Sequence, residues 1–454
     1  MPSWIFGGSG SGSFWMQFPR LVVILSSLSG LVSGFSGTDV SAHDLMSKYP
    51  LIDGHNDLAL KLRILHNNRL SQINLHNVSK LATDISRLRA GHVQAQMFAA
   101  YVVCQAQNKD AVMLTLEQID VIRRMCTEYE DLELVTSAEG LKNSSPKIAC
   151  LISVEGGHSI DSSLSVLRTF YQLGVRSIAL THTCNTPWAE SSSTHHKFYQ
   201  RENNSLTYFG KLFQSNTLLM NQAVVEEMNR LGMIVDLSHS SWDTAKAALK
   251  ISKAPVIFSH SSSYSICNHS RNVPDQLLHA LKRNRGLIMV NLYSEFIACG
   301  KEANISVVAD HFDHIKRVIG AESVGIGGDY EGAANFPQGL EDVSKYPALI
   351  QELLLRNWRE DELAGVLRMN FLRVFEEVER VRDELSGTLP SEVQISPQKV
   401  QNACRLDLSH LRGQLRGHQS HTPTLPRAHH GPLEPQSLLV WATVLLICSL
   451  LPLY

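Results

Sequence analysis

The sequence predicts an α/β fold, a (β/α)8 TIM barrel, on three observations. Short apolar runs alternate with amphipathic segments from Leu51 onward. Most of those runs are continuous rather than alternating, as strands buried on both faces must be. Polar and ionisable residues end many different runs instead of gathering at one. That distribution favours a closed barrel over the main alternative, a doubly wound open sheet with a site at a single switch point.

Strands are expected at 51–53, 93–99, 149–155, 177–181, 232–237, 256–259, 287–291 and 324–326. Helical periodicity between them marks 110–126, 163–171, 218–231, 241–251, 275–281 and 307–319. Two more helices are expected at 348–355 and 361–381. In the second, Leu363, Leu367, Phe371, Val374 and Val378 recur at three- and four-residue steps, one apolar face that can pack on the barrel.

The ends read differently. Residues 1–36 hold a basic residue, Arg20, then Leu21-Val22-Val23-Ile24-Leu25 and a Ser/Leu/Gly stretch, the pattern of a secretory signal. The barrel with its C-terminal helices takes 41–392, and 393–437 is a flexible stalk rich in Gly, Pro, His and Ser toward its end. An apolar tail, 438–454, closes the chain with no basic residue after it. It reads as a GPI-anchor signal that is removed, with a single transmembrane helix as the alternative. The expected location is the extracellular face of the plasma membrane. Basic residues number 41 and acidic residues 43, for a net charge of -2, which gives no footing for a nucleic-acid partner.

Secretion gives the cysteines a meaning. Of 8, Cys448 lies in the tail, so an odd number remains and one free or intermolecular cysteine is expected. Asn77, Asn143, Asn203, Asn268 and Asn304 each begin an Asn-x-Ser sequon, expected to carry glycans on surface loops.

The chemistry collects at strand ends. His55 and Asp57 close the first strand two residues apart, so they can share one face, and imidazole with carboxylate suits zinc. Glu155 ends an apolar strand, where a carboxylate is costly unless paired or metal-bound. Its two oxygens can bridge two metals; the plainer reading is a cap for a helix starting near Asp161. His239 and His260 end consecutive strands and, with Glu155, make a second zinc site. Each histidine alone reads more readily as a packing residue; jointly they read as ligands. His182 could be a ligand too, but it is assigned instead to the substrate carbonyl and the tetrahedral oxyanion. Asp329, just past the last strand, can move a proton from water to the leaving amine, a role that sequence pattern alone does not separate from that of a metal ligand. Arg271 can clamp a free carboxylate, against the plainer reading of a surface salt bridge.

These residues stand within long motifs. Asp53-Gly54-His55-Asn56-Asp57-Leu58, Val154-Glu155-Gly156-Gly157-His158-Ser159, Thr181-His182-Thr183-Cys184-Asn185-Thr186-Pro187-Trp188 and Gly327-Gly328-Asp329 resemble those of the membrane (renal) dipeptidases, over about 41–404. The chain looks closer to the second mammalian member than to the kidney enzyme. The resemblance implies a dinuclear zinc dipeptidase with two Zn2+ per subunit: His55, Asp57 and Glu155 on one, Glu155, His239 and His260 on the other. It implies that His182, Arg271 and Asp329 contact the substrate, with Asp329 as acid/base. It also implies Cys104–Cys184 and Cys267–Cys299 disulfides and a homodimer linked through Cys404, leaving Cys126 and Cys150 free and buried. Dipeptides are the implied substrates: cysteinyl-glycine, cystinyl-bis-glycine and leukotriene D4, with β-lactam opening as a side activity. One departure is Glu331, where the kidney enzyme has aspartate; a shift in pocket shape or in contacts around the ligands is expected from it. Two other functions are weighed: a metal hydrolase of another amide, such as a deacetylase or cyclic amidase, and a cell-surface binding protein that has lost its chemistry.

Overall fold

The computed structural model describes residues 41–193 and 219–394. Its strands are β1 Leu51–Asn56, β2 Val93–Tyr101, β3 Leu132–Leu134, β4 Ile148–Glu155, β5 Val175–Ala179, β6 Ile234–Asp236, β7 Ile257–Phe258, β8 Leu287–Val290 and β9 Val324–Ile326. All pairings among these strands are parallel. Eight of the strands close a ring, β1-β2-β4-β5-β6-β7-β8-β9, sealed where Asp53 pairs with Ile326. The barrel is the one the sequence predicts.

β3 is the strand that sequence reading missed. It pairs with β4 at Ile148 to Cys150, while β5 takes the same edge of β4 from Ile152 onward. Three residues are too few to show a period, so only pairing reveals it. β1 runs to Asn56 rather than stopping at Asp53, and β5 ends at Ala179 rather than reaching Thr181.

The helices start where side chains cap them. Ser163, Ser241 and Asn304 each accept the N–H three residues on, opening the helices Leu164–Gln172, Trp242–Ile251 and Ile305–Ile319. The helix expected over 361–381 is interrupted. Glu360–Ala364 passes through a π turn, Gly365–Met369, into Asn370–Glu384. Past that turn, Asn370 reaches under the barrel, where its Nδ2 donates to the carbonyls of Ala321 and Val324 at 2.8 and 2.9 Å.

This last helix decides which end of the barrel is open. Ile52, Met97, Leu151, Ile234, Ile257 and Met289 from the strands form one buried cluster with Phe371, Phe375 and Val378. Burying each such side chain contributes roughly 1.5–3 kcal/mol. The strands' N-terminal end is thereby plugged, and function is left to the C-terminal ends.

Three disulfides tie the outer layer: Cys104–Cys184, Cys126–Cys150 and Cys267–Cys299. The second corrects an expectation. Cys126 and Cys150 are buried, but they are bonded to each other rather than free. The helix Ala111–Glu128 buries Cys126 on its inner face, with Cα atoms 6.3 Å apart across to β4. Cys404 and Asn203 lie outside the described residues, as do the expected signal and tail. Asn77, Asn143 and Asn268 are exposed. Asn304 is half-buried, because it caps a helix instead of lying on an open loop.

Candidate metal centre and active site

Every strand-end residue singled out in the sequence arrives at the open end of the barrel. Asp53, within β1, sets the frame. Its Oδ1 accepts N–H groups of His55 and Gly328 at 3.2 and 2.9 Å, and its Oδ2 accepts the Tyr346 hydroxyl at 2.5 Å. The ends of β1 and β9 are thus fixed together. Gly54 follows where nothing larger fits: a Cβ there would stand 2.4 Å from Met289 Sδ. His55 Nε2 then lies 3.1 Å from Asp57 Oδ2. Asp57 has already left the strand and opens the helix Leu58–His66, yet the pair still converges.

Glu155 is the hub. Its Oε1 lies 3.0 Å from His239 Nε2, 3.4 Å from His260 Nε2, 3.6 Å from His55 Nε2 and 3.8 Å from His182 Nε2. It caps no helix: Ser163 caps the next one. His239 and His260 approach each other at 2.9 Å, Nε2 to Nε2. His239 has a left-handed φ of 65°, which turns the chain sharply after β6.

The other nitrogen of His260 has a defined partner. Ser259 Oγ donates to Asp236 Oδ2 at 2.5 Å and stands 2.8 Å from His260 Nδ1. With its proton given to Asp236, the hydroxyl accepts from Nδ1–H, so Nε2 keeps a lone pair facing Glu155. Asp236 is itself locked by the N–H groups of Ser238 and Ser259.

Asp329 also sits at a left-handed φ of 60°. Asn291 donates to its Oδ2 at 2.7 Å, while its Oδ1 stands 4.0 Å from His55 Nε2. A Cβ on Gly332 would fall 2.2 Å from Asp57 Oδ2 and 2.6 Å from Asp329 Oδ1, so glycine leaves both carboxylates room. Arg271 is buried, not a surface ion pair. Its guanidinium donates to Ser261 Oγ at 3.3 Å and to the His260 carbonyl at 3.1 Å, and it lies 5.4 Å from the Phe296 ring centre. Its Nε–H has no hydrogen-bond partner among the described residues. His182 is flanked by Tyr101 at 4.4 Å between rings, and its Nδ1 lies 3.1 Å from Thr183 Oγ1.

The field here is that of crowded carboxylates. Burial alone would lower the pKa of His55, but Glu155, Asp57 and Asp329 outweigh it and lift it to about 10. Burial raises Glu155 well above the usual range and raises Asp329 to about 6. His239 and His260 are pushed well down by burial, reinforced by the Arg271 charge for the first and by His55 for the second.

Three groups of ligand atoms each lie within 4.8 Å of one another: His55, Asp57, Glu155; Glu155, His239, His260; and His55, His260, Asp329. Asp57 Oδ1 and His239 Nδ1 are buried with no partner among the described residues. Imidazoles and carboxylates converging on one carboxylate oxygen are the donor set of a metal site, and this site fits a metal cofactor. The remaining group, Cys104, His158 and Cys184, is closed to metal by its disulfide.

Sequence reading missed the supporting residues Asp53, Asp236, Ser259 and Asn291. A polar residue within or just beyond an otherwise apolar strand was the available signal. Glu331 has a left-handed φ of 72° and is buried. Its carboxylate is raised by burial, against the pull of Lys61 and of hydrogen bonds from Ala82 and Thr83. Its Oε1 is buried with no hydrogen-bond partner among the described residues.

A model of the membrane dipeptidases, peptidase family M19, matches residues 40–388. Dipeptidase 3 of Mus musculus is 54% identical over 367 residues, covering 81% of this chain and 71% of the relative. Dipeptidase aclJ of Aspergillus oryzae is 40% identical over 369 residues, covering 78% and 84%. Among solved structures, a metallopeptidase of Rhodobacter sphaeroides holding a phosphinate mimic of the dipeptide L-Ala-D-Ala aligns with a TM-score of 0.62. It is 23% identical and covers 72% of this chain and 99% of its own, a likeness of fold.

Proposed function

This chain belongs to the membrane dipeptidase family, and on that premise we propose that it is a zinc-dependent dipeptidase acting on dipeptides with a free C-terminal carboxylate. Cysteinyl-glycine, cystinyl-bis-glycine and leukotriene D4 are the substrates proposed. The observation that carries the reading is the convergence of four imidazoles on Glu155 Oε1, with a buried arginine beside them.

His55, Asp57 and Glu155 would hold one zinc ion, and Glu155, His239 and His260 a second. Bound there, the pair would lower the pKa of water and so supply a nucleophile at neutral pH. The chain's own groups do the rest. Arg271 grips the substrate carboxylate through paired N–H donors, which favours dipeptides over longer chains. His182 Nε2 donates to the carbonyl oxygen as negative charge develops on it. Asp329 receives the proton of the attacking water and delivers it to the departing amine. The 438–454 tail would direct lipid anchoring on the outer face of the plasma membrane, and Cys404 would join two subunits. Among the described residues, no helix is long and apolar enough to cross a membrane.

The test is dipeptide hydrolysis by purified protein with and without zinc, beside His182→Ala and Arg271→Ala. His182→Ala should lower turnover, and Arg271→Ala should weaken preference for a free carboxylate over a C-terminal amide. Parent-like behaviour of both variants on free dipeptides would refute these roles. Equal cleavage of blocked amides by the parent would favour an amide hydrolase of other specificity.

A further inference from the structure

Asn291 follows β8 directly and is fully buried, with both ends of its amide engaged. Its Oδ1 accepts the Tyr293 N–H at 2.5 Å. A backbone N–H can only donate, so this contact settles which end of the amide is oxygen. The Nδ2 end therefore faces Asp329 Oδ2, 2.7 Å away. The Asn291 carbonyl accepts the Ser262 hydroxyl at 3.4 Å, tying the residue to the loop after β7.

Asp329 is held from its own side as well. Its N–H donates to the His55 carbonyl at 3.2 Å. Its two oxygens are consequently unlike. Oδ2 faces a donor that cannot become an acceptor, so a proton placed there would oppose N–H and forfeit the hydrogen bond. Oδ1 is the oxygen turned toward His55, 4.0 Å from its Nε2.

We propose that Asn291 is a positioning residue that reserves Asp329 Oδ1 as the proton carrier in amide cleavage. This rests on the dipeptidase reading. The attacking water loses a proton to Oδ1 as its oxygen bonds to the carbonyl carbon. The same proton passes to the substrate nitrogen as the C–N bond breaks. Nitrogen keeps the bonding electron pair and leaves as a neutral amine. Oδ2 stays unprotonated throughout, bonded to Asn291. Without that amide the carboxylate turns about its last torsion and the proton is carried out of line.

A dipeptide and its thioester analogue, with sulfur in place of the peptide nitrogen, separate this role from a merely structural one. A thiol has a pKa of about 8.5, so the thiolate departs with little need of a proton. The measurement uses full-length, zinc-loaded protein carrying Asn291→Leu or Asn291→Ala, with zinc content and melting temperature recorded. On the dipeptide, kcat should fall roughly 10- to 100-fold with KM changed less than about twofold. On the thioester the fall should stay under about threefold. Equal losses on both substrates, or no loss on the dipeptide, would overturn the proposal. If Asn291→Leu does not fold, Asn291→Ala decides, since it removes the amide donor without adding bulk or charge. An Asp329→Asn variant as active as the parent would also overturn the proposal, whereas a parent enzyme that cleaves no dipeptide would instead overturn the dipeptidase reading.

Discussion

Glu155 Oε1 lies 3.0 Å from His239 Nε2, closer than to any of the other three imidazoles around it. One carboxylate oxygen thus serves both groups of ligands, and removing its charge should empty both. If the site holds the two zinc ions proposed, Glu155→Gln is expected to drop bound zinc from about two ions per chain to below one and to cut dipeptide hydrolysis at least ~100-fold. Elemental analysis of the purified variant, together with the assay, checks it. Two retained zincs would break the bridging assignment.

Asp236 fixes the Ser259 hydroxyl that orients His260. Asp236→Asn should weaken zinc retention by about 10- to 100-fold, the usual effect of losing an outer partner of a ligand. Competition with a chelator measures this. An unchanged affinity would mean that His260 holds its orientation by packing alone.

Arg271 meets only neutral oxygens among the described residues, and its Nε–H is unpartnered there. Arg271→Lys keeps the charge but loses the planar fork. We expect kcat/KM on free dipeptides to fall roughly 10- to 100-fold, the scale of a charged hydrogen bond, while C-terminal amides are little affected. Parallel loss on both substrate types would remove the carboxylate-clamp role.

Two buried histidines away from the ligands predict acid sensitivity. His158 and His311 are held neutral by burial, each lowered from 6.5 to about 4. The unfolded chain therefore takes up protons between those values that the fold refuses. Their contribution is fully present above pH 6.5 and is lost as pH falls toward 4, at roughly 3 kcal/mol per histidine. Urea midpoints from pH 7 to 4.5 should decline, and His311→Gln should flatten the decline. A midpoint independent of pH over that range would contradict the burial argument.

The Cys126–Cys150 bond spans 24 residues. Closing a loop of that length restricts the unfolded chain by about 3 kcal/mol. Cys150→Ala should lower the melting temperature by several degrees without changing zinc content. Peptide mapping under non-reducing conditions should recover the 126–150 pair from the parent. Recovery of either cysteine as a free thiol would contradict the bond.

Much of this protein was legible in the chain. Continuous apolar runs identified the barrel, because a strand buried on both faces has no polar side to show. Ligand candidates stood out because a carboxylate or imidazole ending such a run must have a partner. Less legible was β3, whose three residues carry no period, and the π turn at Gly365–Met369, which leaves the apolar face at Phe371, Val374 and Val378 unbroken. Asp236 and Asn291 read as ordinary strand-end polar residues until their partners, 23 and 38 residues away, were known.

By itself, then, the order of residues determined the eight barrel strands and the identity of the ionisable groups at their C-terminal ends. Tertiary structure alone decided how those groups meet: that Glu155 Oε1 faces every imidazole, that Asp329 offers unlike oxygens, and that Cys126 finds Cys150. The reason is physical. Hydrophobic period is a local property of the chain, whereas direction and distance between side chains depend on strand register, on left-handed turns at His239 and Asp329, and on partners brought together only by barrel closure.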